Sequence, residues 1–398
     1  MTLQIGMVAG EPSGDLLAGR IISGCRHRNP DITCSGIGGP HMQSQGFETF
    51  HDMNALSVFG YVDAIKRLPS LLGVYADMKK RYAQNAPDVF VGIDAPDFNL
   101  RLERHLKQRG VPTVHFVGPS IWAWRYERIH TIRESVSHML VLFPFEEEIY
   151  QKEGVPVTYV GHPLAGAIPM TPDRTAARGR LGIDPDVRVL AILPGSRSSE
   201  IRLLAPVFLQ AAQLLVQRDP KLQCVVPMVN AERRAEFEAI LKKYPVPGLR
   251  CIASDTVHPP VARTVAPVAW TVMEAATAVL VASGTATLET ALHKRPMVIS
   301  YVLSPWMRRI MSWKSGQKRP YLPWIGLPNV LLRDAVVPEI LQDDVNPRAL
   351  ADATWRALTD EPYQREIEAR FTALHQSLLR DTPALAAQAI MEVAGGRS

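Results

Sequence analysis

The chain has 398 residues, of which 46% are hydrophobic and 21% charged, a balance typical of a folded globular protein rather than a disordered one. Because this length exceeds what one ordinary hydrophobic core supports, we expect two domains. The net charge of +5 suits anionic lipid, a phosphorylated ligand or nucleic acid, and it does not distinguish among them.

Several features bear on the compartment in which the chain works. No run of about 18 apolar residues is uninterrupted, which argues against a membrane-spanning helix. Met1 leads directly into an apolar run without the basic start and cleavage site of a signal peptide, so we expect a cytoplasmic protein. The cysteines are scattered, which indicates neither a disulfide framework nor a zinc site.

Short β-rich runs alternate with helical patterns along the chain, and this rhythm predicts parallel sheets covered by helices. In the first half we expect strands at residues 3–9, 33–37, 89–93, 113–117, 139–142 and 157–160. After a turn-rich stretch we expect strands again at residues 188–193, 223–226, 249–252, 278–282 and 297–301.

The predicted fold class is α/β, with two Rossmann-like, doubly wound domains facing a central cleft. We place the first domain at residues 1–168 and the second at residues 169–355. Residues 356–398 are expected to form helices that pack back across the domains or onto a partner subunit. Since open α/β sheets bind ligands at the carboxyl ends of their strands, candidate site residues are sought in the loops that follow strands.

The first predicted strand ends in the sequence Gly-Glu-Pro-Ser-Gly-Asp at residues 10–15. This turn lacks the Gly-Lys-Ser/Thr ending of a P-loop, and no good dinucleotide fingerprint follows, so ATP and NAD are not expected. Two interpretations stay open. The segment is either a tight turn before a capped helix or a loop that faces an acceptor substrate through Glu11, Ser13 and Gly14.

Residues 68–82 have the pattern of an amphipathic helix, with Leu71, Leu72, Tyr75 and Met78 on its apolar side and basic residues at its end. Such a helix lies in a lipid interface or packs on the core of an α/β sandwich, and the pattern is compatible with both. The apolar residues at 58–61 enlarge the apolar area and favour contact with lipid.

Asp94 follows the apolar run at residues 89–93, at the carboxyl end of a predicted buried strand. A partly desolvated carboxylate at this position can take a proton from an attacking hydroxyl group as a general base. The alternative is a turn or capping carboxylate, and Asp97 is expected to cap the following helix.

Two tryptophans, Trp122 and Trp124, lie in a predicted loop after the strand at residues 113–117. Aromatic faces pack on sugar rings and acyl chains, and Arg125 can meet a phosphate group. The alternative is a loop anchored in the core. His162, further along, either orients the segment between the domains or is a structural histidine.

Two strand–turn–helix passages occur in the second predicted domain. In the first, Ser196 and Arg197 lie at the start of a helix, where free amides, the helix dipole and a guanidinium suit an anion. In the second, Gly284, Thr285 and Ala286 lie at the start of a helix. Glu289 lies one turn further along the same face, where its carboxylate suits the hydroxyl groups of a ribose. Their recurrence predicts a nucleotide diphosphate site, and the alternative is ordinary turns with helix caps.

Metal catalysis and nucleic-acid binding find little support in the sequence. The Asp-Pro-Asp sequence at residues 184–186 has the spacing of a metal clamp, but its central proline favours a turn. The basic residues are dispersed, without a recognition module. We therefore expect no metal, no cofactor and no nucleic-acid partner.

Five segments occur in the order seen in lipid-A-disaccharide synthases, namely residues 10–15, 92–99, 119–125, 194–197 and 283–285. Residues 327–329 also resemble that family, and the resemblance covers nearly the whole chain. The resemblance implies an inverting GT-B glycosyltransferase of family 19. It also implies UDP-2,3-diacylglucosamine as donor, 2,3-diacylglucosamine 1-phosphate as acceptor, and work at the inner-membrane surface of a Gram-negative bacterium.

Carried onto this sequence, the resemblance implies that Asp94 is the general base. It implies contacts with UDP from Arg197, Gly284, Thr285, Glu289 and Asn329. A homodimer that exchanges C-terminal segments is implied too, and residues 255–272 form a longer connection than is usual in the family. Two other functions stay open: a UDP-N-acetylglucosamine epimerase or hydrolase, and a non-catalytic lipid-binding protein.

Overall fold

A computed structural model describes most of the chain as two compact units. The described ranges are residues 2–56, 61–122, 126–253, 267–303 and 323–396, without the side chains of residues 61–68. Unit 1 consists of Met1–Gly166 together with Leu378–Ser398, and unit 2 consists of Ala167–Ser377. Each unit contains one parallel sheet.

The sheet of unit 1 has the strand order β3-β2-β1-β4-β5-β6-β7. Its strands are β1 (Leu3–Ala9), β2 (Ile32–Gly38), β3 (Glu48–Asp52), β4 (Val89–Ile93), β5 (Thr113–Phe116), β6 (His138–Val141) and β7 (Val157–Tyr159). The order reverses between β1 and β4, which pair in parallel from Ile5 opposite Val89 to Ala9 opposite Ile93. In doubly wound sheets this reversal point is where ligands bind.

Helices cover the sheet of unit 1. They are α1 (Pro12–Arg28), α2 (Pro40–Gln43), α3 (Tyr61–Gln84), α4 (Pro96–Lys107), α5 (Arg128–Ser135), α6 (Pro144–Lys152), α7 (Pro163–Ala167) at the unit boundary and, from the chain end, α16 (Thr382–Gly395). The small residues of α16 allow it to approach α1 closely. A Cβ on Gly24 of α1 would lie 2.8 Å from the carbonyl oxygen of Pro383, so this contact requires glycine.

The sheet of unit 2 has the strand order β10-β9-β8-β11-β12-β13. Its strands are β8 (Val189–Leu193), β9 (Gln223–Pro227), β10 (Arg250–Ile252), β11 (Ala278–Ala282), β12 (Met297–Tyr301) and β13 (Glu339–Leu341). Its helices are α8 (Arg174–Leu181), α9 (Ser198–Arg218), α10 (Ala231–Leu241), α11 (Val268–Ala275), α12 (Thr285–Leu292), α13 (Leu327–Leu332), α14 (Pro347–Thr359) and α15 (Glu361–Leu378). The neighbouring strands β8 and β11 each lead into a helix, namely α9 and α12.

The borders of the units can be compared with the predicted ones. The predicted border at 168 lies close to Gly166, where unit 1 is interrupted. The second crossing lies at Ser377 rather than at 355, because α15 is bonded to unit 2. Arg370 of α15 binds Asp334 with an Nη2–Oδ2 distance of 2.7 Å, and Lys294 donates to His375 Nδ1 at 2.5 Å.

Helix α9 is the described helix that is long and apolar enough to cross a membrane by length and composition. Its buried side includes Leu204, Phe208 and Leu215, which pack in the hydrophobic core of unit 2. The apolar residues on this side of α9 are therefore accounted for by packing in the core of unit 2.

Helix α3 begins earlier than the sequence pattern predicts. It starts at Tyr61 and ends at Gln84, so Pro69 lies inside the helix rather than in its first turn. Of residues 58–61, which we expected to extend the apolar area, residues 58–60 lie outside the described ranges, and Tyr61 is described only in its backbone.

Candidate active site

The turn that carries Asp94 connects β4 to α4 in a left-handed backbone conformation. Asp94 has φ = 52° and Ala95 has φ = 43°. This conformation is strained for residues other than glycine, but asparagine and aspartate tolerate it better than most, which suits residue 94. The Asp94 amide donates to the Phe116 carbonyl at 2.9 Å, so the end of β5 holds the turn in place. The half-buried carboxylate of Asp94 is thereby fixed at the carboxyl edge of the sheet.

A buried polar cluster supports this turn from below. The side-chain amide of Asn99, fully buried in α4, donates to the Asp94 carbonyl at 2.8 Å. One turn further along α4, Glu103 Oε1 lies 2.8 Å from His115 Nδ1, and both side chains are fully buried. Burial raises the pKa of the Glu103 carboxyl, and the adjacent His115 opposes that shift. Gly92 leaves the space that this pair occupies, since a Cβ there would overlap Glu103 Oε1.

The sequence patterns assigned no role to Asn99, Glu103 or His115. The signal for Glu103 is its position four residues after Asn99 on α4, which places both side chains on one helix face. A sequence pattern alone does not reveal that this face is buried against β4 and β5.

The segment at residues 10–15 lies beside the Asp94 turn, because β1 and β4 are neighbours. A Cβ on Gly10 would lie 3.0 Å from the Cβ of Ala95. Glu11 and Ser13 are exposed at the start of α1, whereas Gly14 is buried against Ile93. Of these candidates, Glu11 and Ser13 offer side chains to a ligand, and Gly14 serves the packing of α1 on β4.

Trp122 does not have the exposure that the prediction of an acceptor contact requires. Its side chain is only 6% exposed, and its ring packs edge-on against Phe145 with a centroid separation of 5.2 Å. The assignment of Trp122 as an acceptor contact is therefore corrected to that of an anchor for its loop. Trp124 and Arg125 lie outside the described residues.

Helix α9 begins beside an exposed arginine, but part of its helix start is already occupied. The Arg197 side chain is 80% exposed. Glu200 Oε2 accepts from the amides of Ser196 at 3.0 Å and Arg197 at 3.2 Å, so these two amides are not free for an anion as the sequence suggested. The amides of Ser198 and Ser199 have no acceptor among the described residues. An anion at this helix start therefore meets Arg197 and these two amides.

Gly195 makes the Glu200 contact possible. Its φ of 113° is poorly accessible to other residues, and a Cβ there would lie 2.5 Å from the Cβ of Glu200. Glu200 was not among the residues predicted for the site. The available signal was the capping-box spacing, in which a glutamate at the third helical position bonds back to the residue before the helix.

Helix α12 begins where the sequence predicted, at Thr285 after Gly284. Gly284 and Thr285 are exposed, Ala286 is half-buried, and Gly284 has φ = 149° with no atom near its missing Cβ. Because β8 and β11 are neighbours, the starts of α9 and α12 follow adjacent strand ends within unit 2. This is the arrangement in which two helix dipoles act on one anionic ligand.

Glu289 is half-buried on α12, and burial raises the pKa of its carboxyl while Trp270 beside it acts in the opposite direction. Its backbone carbonyl accepts from His293 Nδ1 at 2.9 Å. A carboxyl group of this kind, protonated or not, can hydrogen-bond a ribose hydroxyl.

Asn329 is fully buried, and its side chain is used internally. Its amide donates to Val337 O and to Glu339 Oε1, both at 2.8 Å, and its Oδ1 accepts from the Val337 amide at 3.0 Å. Glu339 in turn accepts from the amides of Ile325 and Gly326. The prediction of a direct UDP contact by the Asn329 side chain is therefore corrected: this side chain positions Glu339 and the start of α13.

The four residues proposed to contact lipid on α3 have different environments. Met78 is fully buried in the core beside Tyr82, so its assignment to lipid contact is wrong. Tyr75 is half-buried and donates to the Arg101 carbonyl at 3.2 Å. Leu71 is half-buried, whereas Leu72 is 54% exposed. Leu72 is thus the member of the set that faces outward.

His162 has the surroundings of a structural histidine. It is buried, stacks on Phe143 with a centroid separation of 5.3 Å, and accepts from the Leu164 amide at 3.2 Å. Burial lowers its pKa to about 4, so the ring is neutral at pH 7. In the described ranges no three His, Cys, Asp or Glu side chains are grouped so as to hold a metal ion.

Solved structures share this fold at low sequence identity. A UDP-N-acetylglucosamine 2-epimerase from Neisseria meningitidis bound to UDP-GlcNAc has a TM-score of 0.60 at 10% identity and covers all of both chains. A glycosyltransferase from Rickettsia africae has a TM-score of 0.59 at 10% identity, covering 99% of this chain and 98% of its own. The predicted α/β fold class of GT-B type is thereby confirmed, while the central cleft stays a prediction.

Sequence comparisons define the family. The family model for lipid-A-disaccharide synthetase matches residues 5–390. The lipid-A-disaccharide synthase of Bordetella pertussis is 74% identical over 396 residues and covers all of both chains. That of Aromatoleum aromaticum is 50% identical over 391 residues, covering 98% of this chain and 96% of its own. The chain belongs to the lipid-A-disaccharide synthase family, and it is a glycosyltransferase.

Proposed function

We propose that this chain inverts the anomeric centre as it transfers 2,3-diacylglucosamine from UDP to 2,3-diacylglucosamine 1-phosphate, giving a tetraacyl disaccharide 1-phosphate and UDP. The observation that carries the proposal is the pair of helix starts after β8 and β11, with Arg197 at one of them. Membership of the family and a fold shared with an epimerase bound to UDP-GlcNAc both support a UDP-sugar as donor.

On the donor side, the diphosphate lies against Arg197 and the amides of Ser198 and Ser199. The start of α12 at Gly284 and Thr285 contributes further amides, and Glu289 bonds the ribose. These groups stabilise the negative charge that grows on UDP as the bond to the anomeric carbon breaks.

On the acceptor side, Asp94 accepts the proton of the 6-hydroxyl group while that oxygen forms a bond to the anomeric carbon. UDP leaves with the electron pair of the broken bond, and the proton remains on the Asp94 carboxyl. A fixed turn favours this role, because general-base catalysis depends on keeping the carboxylate within hydrogen-bond reach of the hydroxyl. Glu11 and Ser13 flank the same sheet edge and orient the acceptor.

Both substrates carry acyl chains, so the proposal includes work at the cytoplasmic surface of the inner membrane of a Gram-negative bacterium. The outward-facing Leu72, together with the basic residues Lys79, Lys80 and Arg81 at the end of α3, supports contact with an anionic lipid surface. The proposed assembly is a homodimer that exchanges C-terminal segments. The packing of α16 on α1 offers the contact that such an exchange would use.

Product analysis tests the proposed function. The full-length protein is incubated with both diacyl sugars in detergent, and the products are identified by mass spectrometry and by the anomeric coupling constant in NMR. We expect equal amounts of UDP and of a disaccharide 1-phosphate with inverted configuration at the donor carbon. An acceptor that stays a monosaccharide under saturating donor would contradict the proposal. Epimerisation of UDP-N-acetylglucosamine by the same preparation would favour the epimerase alternative.

A further inference from the structure

Unit 1 contains a small pocket between α1, α7, the end of β5 and the start of α16. Its volume is ≈ 120 Å³, which is enough for a phosphate-sized group and too small for a complete acylated sugar. Apolar side chains form much of the wall, namely Leu17, Ile21, Phe116, Pro163 and Pro383. The polar members are Arg20, Arg380 and Thr382.

The polar members of the pocket suit a phosphate. Arg20 is exposed on α1 and has no ion pair among the described residues. Arg380 stacks its guanidinium on Tyr159, with its carbon 4.5 Å from the ring centroid. Arg380 also hydrogen-bonds the Tyr159 hydroxyl group, and the other N–H groups of its five-donor guanidinium can bind oxygen atoms. Two arginines in one pocket favour a doubly charged phosphate over a neutral group.

A buried donor adds a second, independent observation. Thr382 is 4% exposed, lines the pocket, and has a hydroxyl group without a hydrogen-bond partner within the described part of the chain. Buried hydroxyl groups in proteins normally have partners, and a ligand oxygen would supply one here. Thr382 is also the first residue of α16, whose dipole favours an anion at this end. Asp381 is the nearby carboxylate, and it is used in capping, accepting from the Ala384 amide at 3.1 Å.

The pocket is connected to the candidate catalytic turn through one residue. Phe116 lines the pocket, and its backbone carbonyl accepts a hydrogen bond from the Asp94 amide at 2.9 Å. A ligand group held in the pocket therefore lies at the same edge of the unit 1 sheet as the Asp94 carboxylate. A molecule that reaches from one to the other needs a phosphate at one end and a hydroxyl group a few bonds away.

We infer that this pocket binds the phosphate of the acceptor, a phosphomonoester on an acylated sugar, through Arg20, Arg380 and Thr382. The apolar wall takes the carbon atoms next to the phosphate. This inference rests on the proposed function for the identity of the acceptor. It goes further by naming the residues with which the chain distinguishes a phosphorylated acceptor from one without phosphate.

Equilibrium binding tests the inference without requiring turnover. A short-acyl 2,3-diacylglucosamine 1-phosphate, kept below its micelle concentration, is titrated calorimetrically into the full chain and into the variants Arg20→Gln and Arg380→Gln. The same sugar without phosphate is titrated in parallel. Loss of a charge-assisted hydrogen bond predicts about 10-fold to 100-fold weaker binding of the phosphorylated sugar by each variant, and equal binding of the sugar without phosphate.

Arg28→Gln is the matched control, because Arg28 is also an exposed arginine of α1 and does not line the pocket. We expect this variant to bind like the unchanged chain. The inference is overturned if Arg20→Gln and Arg380→Gln keep full affinity, or if the unchanged chain does not prefer the phosphorylated sugar. A failure of the proposed function is separate, since it would appear as missing disaccharide even where the phosphate preference is present.

Discussion

The Asp94 turn of unit 1 and the start of α9 in unit 2 carry opposite charges and are held in place in different ways. A strained backbone fixes Asp94, bonded to Phe116 and supported by the buried side chain of Asn99. By contrast, the Arg197 side chain is exposed at the start of α9, where the Glu200 carboxylate accepts hydrogen bonds from two of the backbone amides. Changes beneath the Asp94 turn should therefore affect stability as well as chemistry, whereas changes at Arg197 should affect UDP binding and turnover without affecting stability.

Replacing the carboxylate itself should have the largest effect. We expect Asp94→Asn to lower kcat for disaccharide formation by about 10²-fold to 10⁴-fold, because the amide cannot accept the hydroxyl proton. Asparagine tolerates the left-handed conformation, so the turn should keep its shape. Steady-state kinetics with both diacyl sugars gives kcat.

Asp97→Asn provides the control for Asp94→Asn. Asp97 is an exposed carboxylate three residues along, in the first turn of α4 and paired with Arg128 at 2.6 Å, so it does not cap the helix as the sequence suggested. This variant should keep normal kcat. Near-normal turnover by Asp94→Asn would show that Asp94 is not the general base.

A substitution that disturbs the buried cluster beneath the Asp94 turn should lower the stability of the protein. In Gly92→Ala the added methyl group overlaps Glu103 and approaches the Asn99 Cβ to 2.9 Å, so we expect a loss of about 2–3 kcal/mol in the free energy of unfolding. Urea denaturation followed by circular dichroism measures it. Gly73→Ala is the control, since Gly73 lies in α3 with nothing near its missing Cβ and should be neutral or slightly stabilising. Equal stability of the two variants would show that the space beside Glu103 is not needed.

A substitution of Arg197 at the start of α9 should weaken UDP binding without changing the stability of the protein. Arg197→Gln is expected to weaken UDP binding by about 10-fold to 100-fold, as loss of a charged hydrogen-bond donor to phosphate predicts. Calorimetric titration of UDP measures this change. Arg218→Gln, in the last turn of the same helix, should bind UDP normally. If both variants bind alike, the diphosphate does not lie at this helix start.

The smallest effect concerns the lipid surface. Leu72→Ser should reduce binding to vesicles containing anionic phospholipid about five-fold, since only part of one leucine side chain is withdrawn from contact. Leu203→Ser serves as control, because Leu203 is an exposed leucine of α9 in unit 2. Sedimentation with vesicles gives the bound fraction, and an equal reduction in both variants would argue against α3 as the contact surface.

The sequence predicted the strands that are buried on both faces, because a short, uninterrupted apolar run such as Val89–Ile93 or Ala278–Ala282 is typical of a central strand in a parallel sheet. It missed β3 and β13. Both lie at sheet edges and lack fully buried residues, so their sequences carry no such run.

The candidate site was partly predictable for a similar reason. Helix starts at Arg197 and Thr285 follow from local glycine and strand patterns. The burial of Trp122, Met78 and Asn329 depends on which neighbours the fold brings against them, and no local pattern carries that information. Glu200 differs, because the capping-box spacing is a local signal for its contact with the Arg197 amide, and only its contact with the Ser196 amide depends on the fold.

Asp94 and Arg197 are proposed to have separate roles in one reaction: Asp94 removes a proton in unit 1, and Arg197 binds the diphosphate in unit 2. Calorimetric titration of UDP into the Asp94→Asn protein tests this proposal most directly. We expect this variant to bind UDP with the affinity of the unchanged chain, because Asp94 contributes to turnover and not to UDP binding. A ten-fold loss of UDP affinity in this variant would contradict that division of roles.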